Sequence, residues 1–123
     1  MQYNNQLNVL KTLFLISAIL NLICTIVWLG NAIIGTFAFC GLGCVIGVLP
    51  VINSIACFLD FNVYNRLKNM NKSGTYNAIK FAAIFDIITI ITFNITSLIF
   101  GIIALVQINT DEVKQEMTSR GIY

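Results

Sequence analysis

The sequence predicts an all-α integral membrane protein, built as a bundle of four transmembrane helices that form two hairpins. Hydrophobic residues make up 58% of the 123 residues and charged residues only 10%, whereas soluble domains carry roughly 25% charged residues. The apolar residues form long runs, and the charges lie in patches between those runs. A water-soluble chain of this size could not bury so much apolar surface. We therefore expect a lipid bilayer to surround the apolar runs.

The lengths of the apolar runs suggest where the spans lie. A bilayer core is about 30 Å thick, and a helix needs about 20 residues to cross it. Gly30 and Asn31 are predicted to form the first outer turn, and Pro50 is predicted to kink the second helix. The chain is predicted to be a single domain, 1–123, with spans at about 9–29, 37–60, 78–93 and 95–109, a hydrophilic loop at 61–77 and a short tail at 110–123.

The apolar stretch from Ala78 to Ile108 admits two interpretations. As one helix, its 31 residues would be about 46 Å long, well beyond the bilayer core. As a hairpin that turns around Asn94, Ile95 and Thr96, it gives two short spans. The hairpin leaves every lysine and arginine on one side of the membrane, whereas three spans would separate Lys114 and Arg120 from the others. We therefore favour four spans with both termini in the cytoplasm, and three spans remain the alternative.

The basic residues set the predicted orientation, because positively charged loops stay in the cytoplasm. Arg66, Lys68, Lys72 and Lys80 lie in or beside the hydrophilic loop and are the residues expected to hold it there. Asp60 and Arg66 are interpreted as an acid and a base at the inner membrane interface. This distribution predicts a multi-pass protein of the plasma membrane.

The polar segments are predicted to be partly helical. Apolar residues at helical spacing continue the second helix to a break near Ser73 and Gly74, with Thr75 as the N-cap of the third helix. In the tail, Val113 and Met117 lie four residues apart on one face of a short helix. That helix is expected to be solvated, with a contact to the membrane or a partner as the alternative.

Asp86 is the one charged residue well inside a predicted span. An aspartate at the middle of a membrane costs about 2.5–3.5 kcal/mol, which the surrounding Phe and Ile residues can offset. Such an acid either holds helices together through hydrogen bonds or forms a proton or cation site. The structural role is the favoured interpretation, because no second acid is expected at the same depth.

An internal repeat predicts the partner of Asp86. Residues 19–26 resemble residues 84–91 at a constant offset of 65, which makes Asn21 the equivalent of Asp86. Thr25 and Thr89 extend the polar faces of the two helices. Polar faces in a bilayer are directed at other helices, so we expect hydrogen bonds between helices here, with a water-lined path as the alternative.

A second helix face carries small residues, namely Cys40, Gly43, Cys44 and Gly47. The Gly43–Gly47 spacing lets helix backbones approach closely, and packing within the chain is favoured over a dimer contact. The cysteines are interpreted as small apolar residues. No histidine is present to complete a metal site, so no metal or other cofactor is predicted.

The run Ser97–Gln107, in which Gly-Ile-Ile-Ala-Leu closes an apolar helix before a charged tail, resembles small, uncharacterised four-helix membrane proteins of low-GC bacteria. The resemblance implies the layout of the helices and no particular activity. The sequence also lacks the arrangements typical of catalysis, such as a Ser-His pair or a glycine-rich phosphate loop. Its net charge of +2 gives no support to nucleic-acid binding.

Two functions remain open from the sequence. The preferred one is a non-enzymatic accessory subunit, immunity-type protein or scaffold that acts through helix packing in the bilayer. Its expected partners are the lipid bilayer and either another membrane protein or further copies of the chain in a parallel oligomer. The alternative is a small oligomeric channel, or a proton- or cation-coupled transporter, that uses Asp86.

Overall fold

The computed structural model describes the backbone of residues 2–38, 45–70, 72–92 and 94–123, with side chains from Gln6 onward within these ranges. The fold is all-α, as the sequence predicts, and the described ranges contain no strand. The elements are α1 (Gln2–Ala38), α2 (Val48–Asn69), α3 (Thr75–Ile88), a 3-10 turn (Thr89–Thr92), α4 (Ile95–Ile108) and α5 (Asp111–Ser119).

The four longer helices run up and down as two hairpins. At one end, which we call the basal end, the Tyr76 hydroxyl donates to Asn109 Oδ1 over 3.0 Å and joins the start of α3 to the end of α4. At the other, distal end, Trp28 Nε1 of α1 donates to the backbone oxygen of Thr92 over 3.0 Å. Asn53, near the start of α2, also accepts a hydrogen bond from Thr92. The distal part of α1 and the start of α2 therefore meet the same turn, and the two helices run antiparallel.

The second hairpin turns without glycine or proline. The hydroxyl of Thr89 donates to the backbone oxygen of Asp86, and the hydroxyl of Thr92 donates to that of Thr89. Such hydroxyls compete with the helical hydrogen-bond ladder. Asn94 then caps α4, because its side-chain oxygen accepts from the Ser97 amide. The chain therefore turns before α4 and does not continue as one helix. Asn94 belongs to the turn as predicted, whereas Ile95 and Thr96 are already in α4.

Two helices of the described chain are long and apolar enough to cross a membrane, over Gln6–Ala38 and Thr75–Thr92. The pair α4 and α5 would provide a third crossing if it formed one span, although the two helices are bent by 73°. Many large apolar side chains point outward, including Ile34 at 65% and Phe37 at 85% exposure. An apolar exterior of this kind is typical of a protein that lipid surrounds.

Three local predictions are wrong. α1 continues through Gly30 and Asn31 to Ala38, because a single glycine costs a helix only about 1 kcal/mol. Pro50 lies in the first turn of α2, where its missing N–H breaks no hydrogen bond. Thr75 is the first residue of α3 rather than its N-cap, and the preceding Gly74 adopts a positive φ of 78°, which glycine tolerates without strain.

The tail folds back under the bundle, so the prediction of a solvated tail helix is also wrong. Val113 and Met117 of α5 are buried and join the apolar core of the basal end. The backbone amides of Gly74 and Thr75 donate to the backbone oxygens of Tyr123 and Ile122 at 3.0 and 2.9 Å. The tail thus supplies hydrogen-bond acceptors where α3 begins, where helical amides otherwise lack partners.

The closest packing in the second hairpin is at Gly101 of α4. A methyl group added there would lie 2.6 Å from the backbone oxygen of Ala83 and 3.0 Å from the Cβ of Asp86. Only glycine lets α4 approach α3 at this distance. The contact holds Asp86 against α4 and so fixes the position of the most informative side chain in the sequence.

Candidate functional site

Polar side chains fill the middle of the bundle, although the sequence around them is apolar. Within the described ranges, ten polar or charged residues are buried. Six of these meet at one point and are here called the central cluster: Ser17 and Asn21 of α1, Asp60 of α2, Asp86 of α3, and Asn94 and Ser97 at the start of α4. All four helices therefore contribute to one buried site.

Asn21 is the hub of the central cluster. Its amide nitrogen donates to Asp60 Oδ2 over 2.9 Å and to Asp86 Oδ1 over 3.0 Å. Its amide oxygen accepts from Asn94 Nδ2 at 2.8 Å and from the Ser97 hydroxyl at 3.3 Å. A carboxamide has two N–H donors and an oxygen with two lone pairs, so Asn21 uses its full hydrogen-bonding capacity. The contact with Asp86 agrees with the pairing that the internal repeat predicts.

The two carboxyl groups of the cluster are close neighbours, because one oxygen of each lies within hydrogen-bonding distance of the same nitrogen. Asp86 Oδ2 also accepts from the Ser17 hydroxyl at 3.1 Å. The buried Oδ1 atom of Asp60 accepts no hydrogen bond from any residue that the structure describes. The Asp60 carboxyl group therefore has one oxygen inside the bundle that accepts no hydrogen bond from the described residues.

No basic side chain joins the cluster among the described residues. The ion pair among the described residues joins Arg120 and Glu116 and lies in the tail. Two carboxylate charges that are close together in a medium of low dielectric repel each other strongly. Two ionised carboxylates in this position are therefore unfavourable, and buried acids inside membranes often mark proton or cation sites.

Polar contacts continue from the cluster towards the distal end. Thr92 precedes Asn94 by two residues, and its hydroxyl donates to Asn53 Oδ1 over 3.2 Å. Trp28 lies against the same turn. Towards the basal end the cluster is instead closed by apolar side chains, which include Phe14 and Ala104. Among the described residues, the polar contacts therefore extend from the cluster towards the distal end and not towards the basal end.

A narrow crevice reaches the cluster from the side of the bundle. It ends at Ser17 and Asp86, is bordered by Phe14 and Phe100, and is too narrow for a water molecule in this conformation. An ion that entered by this route would need one of the two phenylalanine side chains to move. Phe14 is almost fully buried, whereas Phe100 is only partly buried.

The structure brings together only part of the predicted site. Thr89 is buried beside the cluster, and its hydroxyl bonds the backbone oxygen of Asp86. Thr25 donates to the backbone oxygen of Asn21 in its own helix rather than to either acid. Asp60 was expected at the membrane interface, and that prediction is wrong, because Asp60 is fully buried and shares the amide of Asn21.

Other predicted residues lie elsewhere. Gly47 is the N-cap of α2, whereas Cys40, Gly43 and Cys44 lie outside the described residues. Among the cysteines that are described, Cys24 and Cys57 are free thiols. The predicted topology-setting residues, Arg66, Lys68, Lys72 and Lys80, belong to the basal part of α2, to the connection after it and to the first turns of α3.

Two cationic residues lie six residues along the chain from the two acids of the cluster. Arg66 follows Asp60 by six residues and Lys80 precedes Asp86 by six, which places their backbones about 9 Å along the helix axis on the basal side.

No family model matches this chain, and neither a curated protein nor a solved structure shows significant similarity to it.

Proposed function

We propose that this chain is a non-enzymatic, multi-pass membrane protein that binds a proton or a small monovalent cation between Asp60 and Asp86. It would act as a small oligomeric channel or as an ion-coupled carrier. The observation that carries the proposal is the pair of buried carboxyl groups on one amide nitrogen, with one carboxyl oxygen left without a donor. The sequence alone favoured a packing role for Asp86 because it did not reveal the second acid.

The proposal includes four spans and a cytoplasmic basal end in the plasma membrane. Two further antiparallel helices, α2 and α4, accompany the helices that are apolar enough to cross a membrane. Arg66, Lys68, Lys72 and Lys80 support the orientation, since each belongs to the basal side of the central cluster and basic residues stay in the cytoplasm. The central cluster would then lie within the hydrocarbon core.

The ligands offered by the cluster suit a small, hard ion. The two carboxyl groups and the Ser17 hydroxyl are close together, and such oxygen atoms favour protons and hard cations over soft metals. One bound positive charge would leave the two acids with a single net negative charge. The remaining charge keeps the site attractive to a second ion, which favours exchange over permanent occupancy.

A second candidate is the accessory subunit, immunity-type protein or scaffold that acts through helix packing. The distal part of α1 favours it, because α1 continues for ten residues beyond Trp28, which contacts the turn of the second hairpin. Side chains on this extension, such as Ile34 and Phe37, are exposed. A partner helix or a second copy of the chain could cover them, as could lipid.

Ion flux into liposomes tests the proposal. We expect wild-type protein, reconstituted alone, to carry protons or ²²Na⁺ down an imposed gradient. Asp60→Asn and Asp86→Asn should each lower the flux at least about tenfold, the effect of losing a charge-assisted ligand worth about 1.5 kcal/mol or more. Asp111→Asn is the matched control, because Asp111 is exposed in the tail and its replacement should leave the flux unchanged.

Equal flux in the wild-type and the two cluster variants would contradict the proposal. Absence of flux from folded wild-type protein would contradict it as well and would favour the second candidate. In that case, a pull-down in mild detergent from the native membrane should recover a second membrane protein in stoichiometric amount.

A further inference from the structure

A second polar site lies at the basal end, away from the central cluster. A cavity of about 110 Å³ is lined by side chains of α2 and of the connection that follows it, namely Asn62, Asn65, Arg66, Asn69 and Lys72. Each of these side chains can donate hydrogen bonds, two of them carry a positive charge, and none is acidic. The lining is therefore complementary to an anion that has several oxygen atoms.

One hydrogen bond orients the Arg66 guanidinium group, and its Nε donor has no partner among the described residues. Its Nη1 atom donates to the backbone oxygen of Ser73 over 3.2 Å, which orients the guanidinium group. Its Nε atom is buried and finds no acceptor among the described residues. A buried donor without a partner is unfavourable, so Arg66 has hydrogen-bonding capacity that the described residues leave unused.

The connection that carries Lys72 is also fixed. The hydroxyl of Thr75 donates to the backbone oxygen of Lys72 over 2.7 Å, and the backbone amide of Thr75 is bonded to the tail through Ile122. These bonds hold the Lys72 backbone beside the end of α2.

We propose that this cavity binds a phosphate group. A volume of about 110 Å³ leaves room for a group larger than one water molecule, and the tetrahedral oxygens of a phosphate can accept from donors on several sides. Arginine is especially suited to phosphate because its planar fork presents parallel N–H groups. Two sources share this chemistry, namely the headgroup of an anionic phospholipid and free inorganic phosphate.

The test uses the full chain, purified in detergent and freed of lipid. Two probes are titrated separately, phosphatidylglycerol in mixed micelles and inorganic phosphate, and binding is measured by native mass spectrometry and by thermal stabilisation. We expect Arg66→Gln to weaken binding of the effective probe at least about tenfold, since it removes a charge-assisted contact. Lys68→Gln is the matched control, because it removes the same charge from an exposed residue outside the cavity lining and should change the affinity less than about twofold.

Asn62→Ala provides a second variant that leaves the net charge unchanged, and it should weaken binding about threefold to tenfold through the loss of one hydrogen bond. Binding of the lipid alone would support a headgroup site, and binding of phosphate alone would support a site for the free anion. Equal weakening by Arg66→Gln and Lys68→Gln would overturn the proposal, because it would indicate general attraction to positive charge. Failure of both probes to bind folded wild-type protein would also overturn it.

Discussion

Replacing Asn21 with alanine is expected to lower the free energy of unfolding by about 2–4 kcal/mol. The substitution leaves Asp60, Asp86 and Asn94 without a partner that each contacts at 3.0 Å or less. An unsatisfied buried group costs about 1–3 kcal/mol in soluble proteins, and hydrogen bonds between membrane helices contribute less. Reversible unfolding in detergent micelles, followed by circular dichroism, measures the change.

Asn8→Ala is the matched control for this prediction. Asn8 lies on the same helix and is exposed, so its side chain should contribute less than about 0.5 kcal/mol. If the two alanine variants unfolded at the same denaturant concentration, Asn21 would not be the hub of the bundle. The contacts of the central cluster would then contribute little to stability.

Replacing Met117 with alanine is expected to destabilise the protein by about 2–5 kcal/mol, the range for truncating a fully buried methionine. Met117 is completely buried in the basal core with Val113 and Ile122, so its truncation loosens the tail. The backbone amides of Gly74 and Thr75 should then exchange their hydrogens faster, because their acceptors lie in the same tail. Hydrogen–deuterium exchange with mass spectrometry follows both effects.

Gln115→Ala is the control for the tail, since Gln115 is exposed on the same short helix. It should leave both the stability and the exchange at the start of α3 unchanged. Unaltered exchange at Gly74 and Thr75 in the Met117 variant would contradict the docking of the tail. A solvated tail helix would then be the better description.

The sequence predicts the class of fold and part of the topology because hydropathy and charge determine both. The turn before α4 is predicted from Asn94, although neither glycine nor proline marks it. The end of α1 and the start of α3 are harder to predict, since tertiary contacts decide where a helix begins and ends. Thr75 resembles an N-cap in sequence, yet its amide is bonded to Ile122, a residue far away in the chain.

The central cluster is only half predictable for a related reason. The internal repeat relates Asn21 to Asp86, and these side chains meet. Asp60 was assigned to the interface because the second helix was expected to begin near residue 37. α2 begins at Val48 instead, which places Asp60 twelve residues into that helix and level with Asp86. The polar residues Asn94 and Ser97, in an otherwise apolar stretch, were the remaining signal.

The central claim is that Asp60 and Asp86 share one bound proton or cation, and a double-mutant cycle tests it most directly. The free energy of unfolding is measured for the wild-type, Asp60→Asn, Asp86→Asn and the double variant. We expect the two substitutions to be coupled by about 1–3 kcal/mol, as for groups that share a partner. Effects that add to within about 0.5 kcal/mol would contradict the claim and would leave the two acids as independent residues.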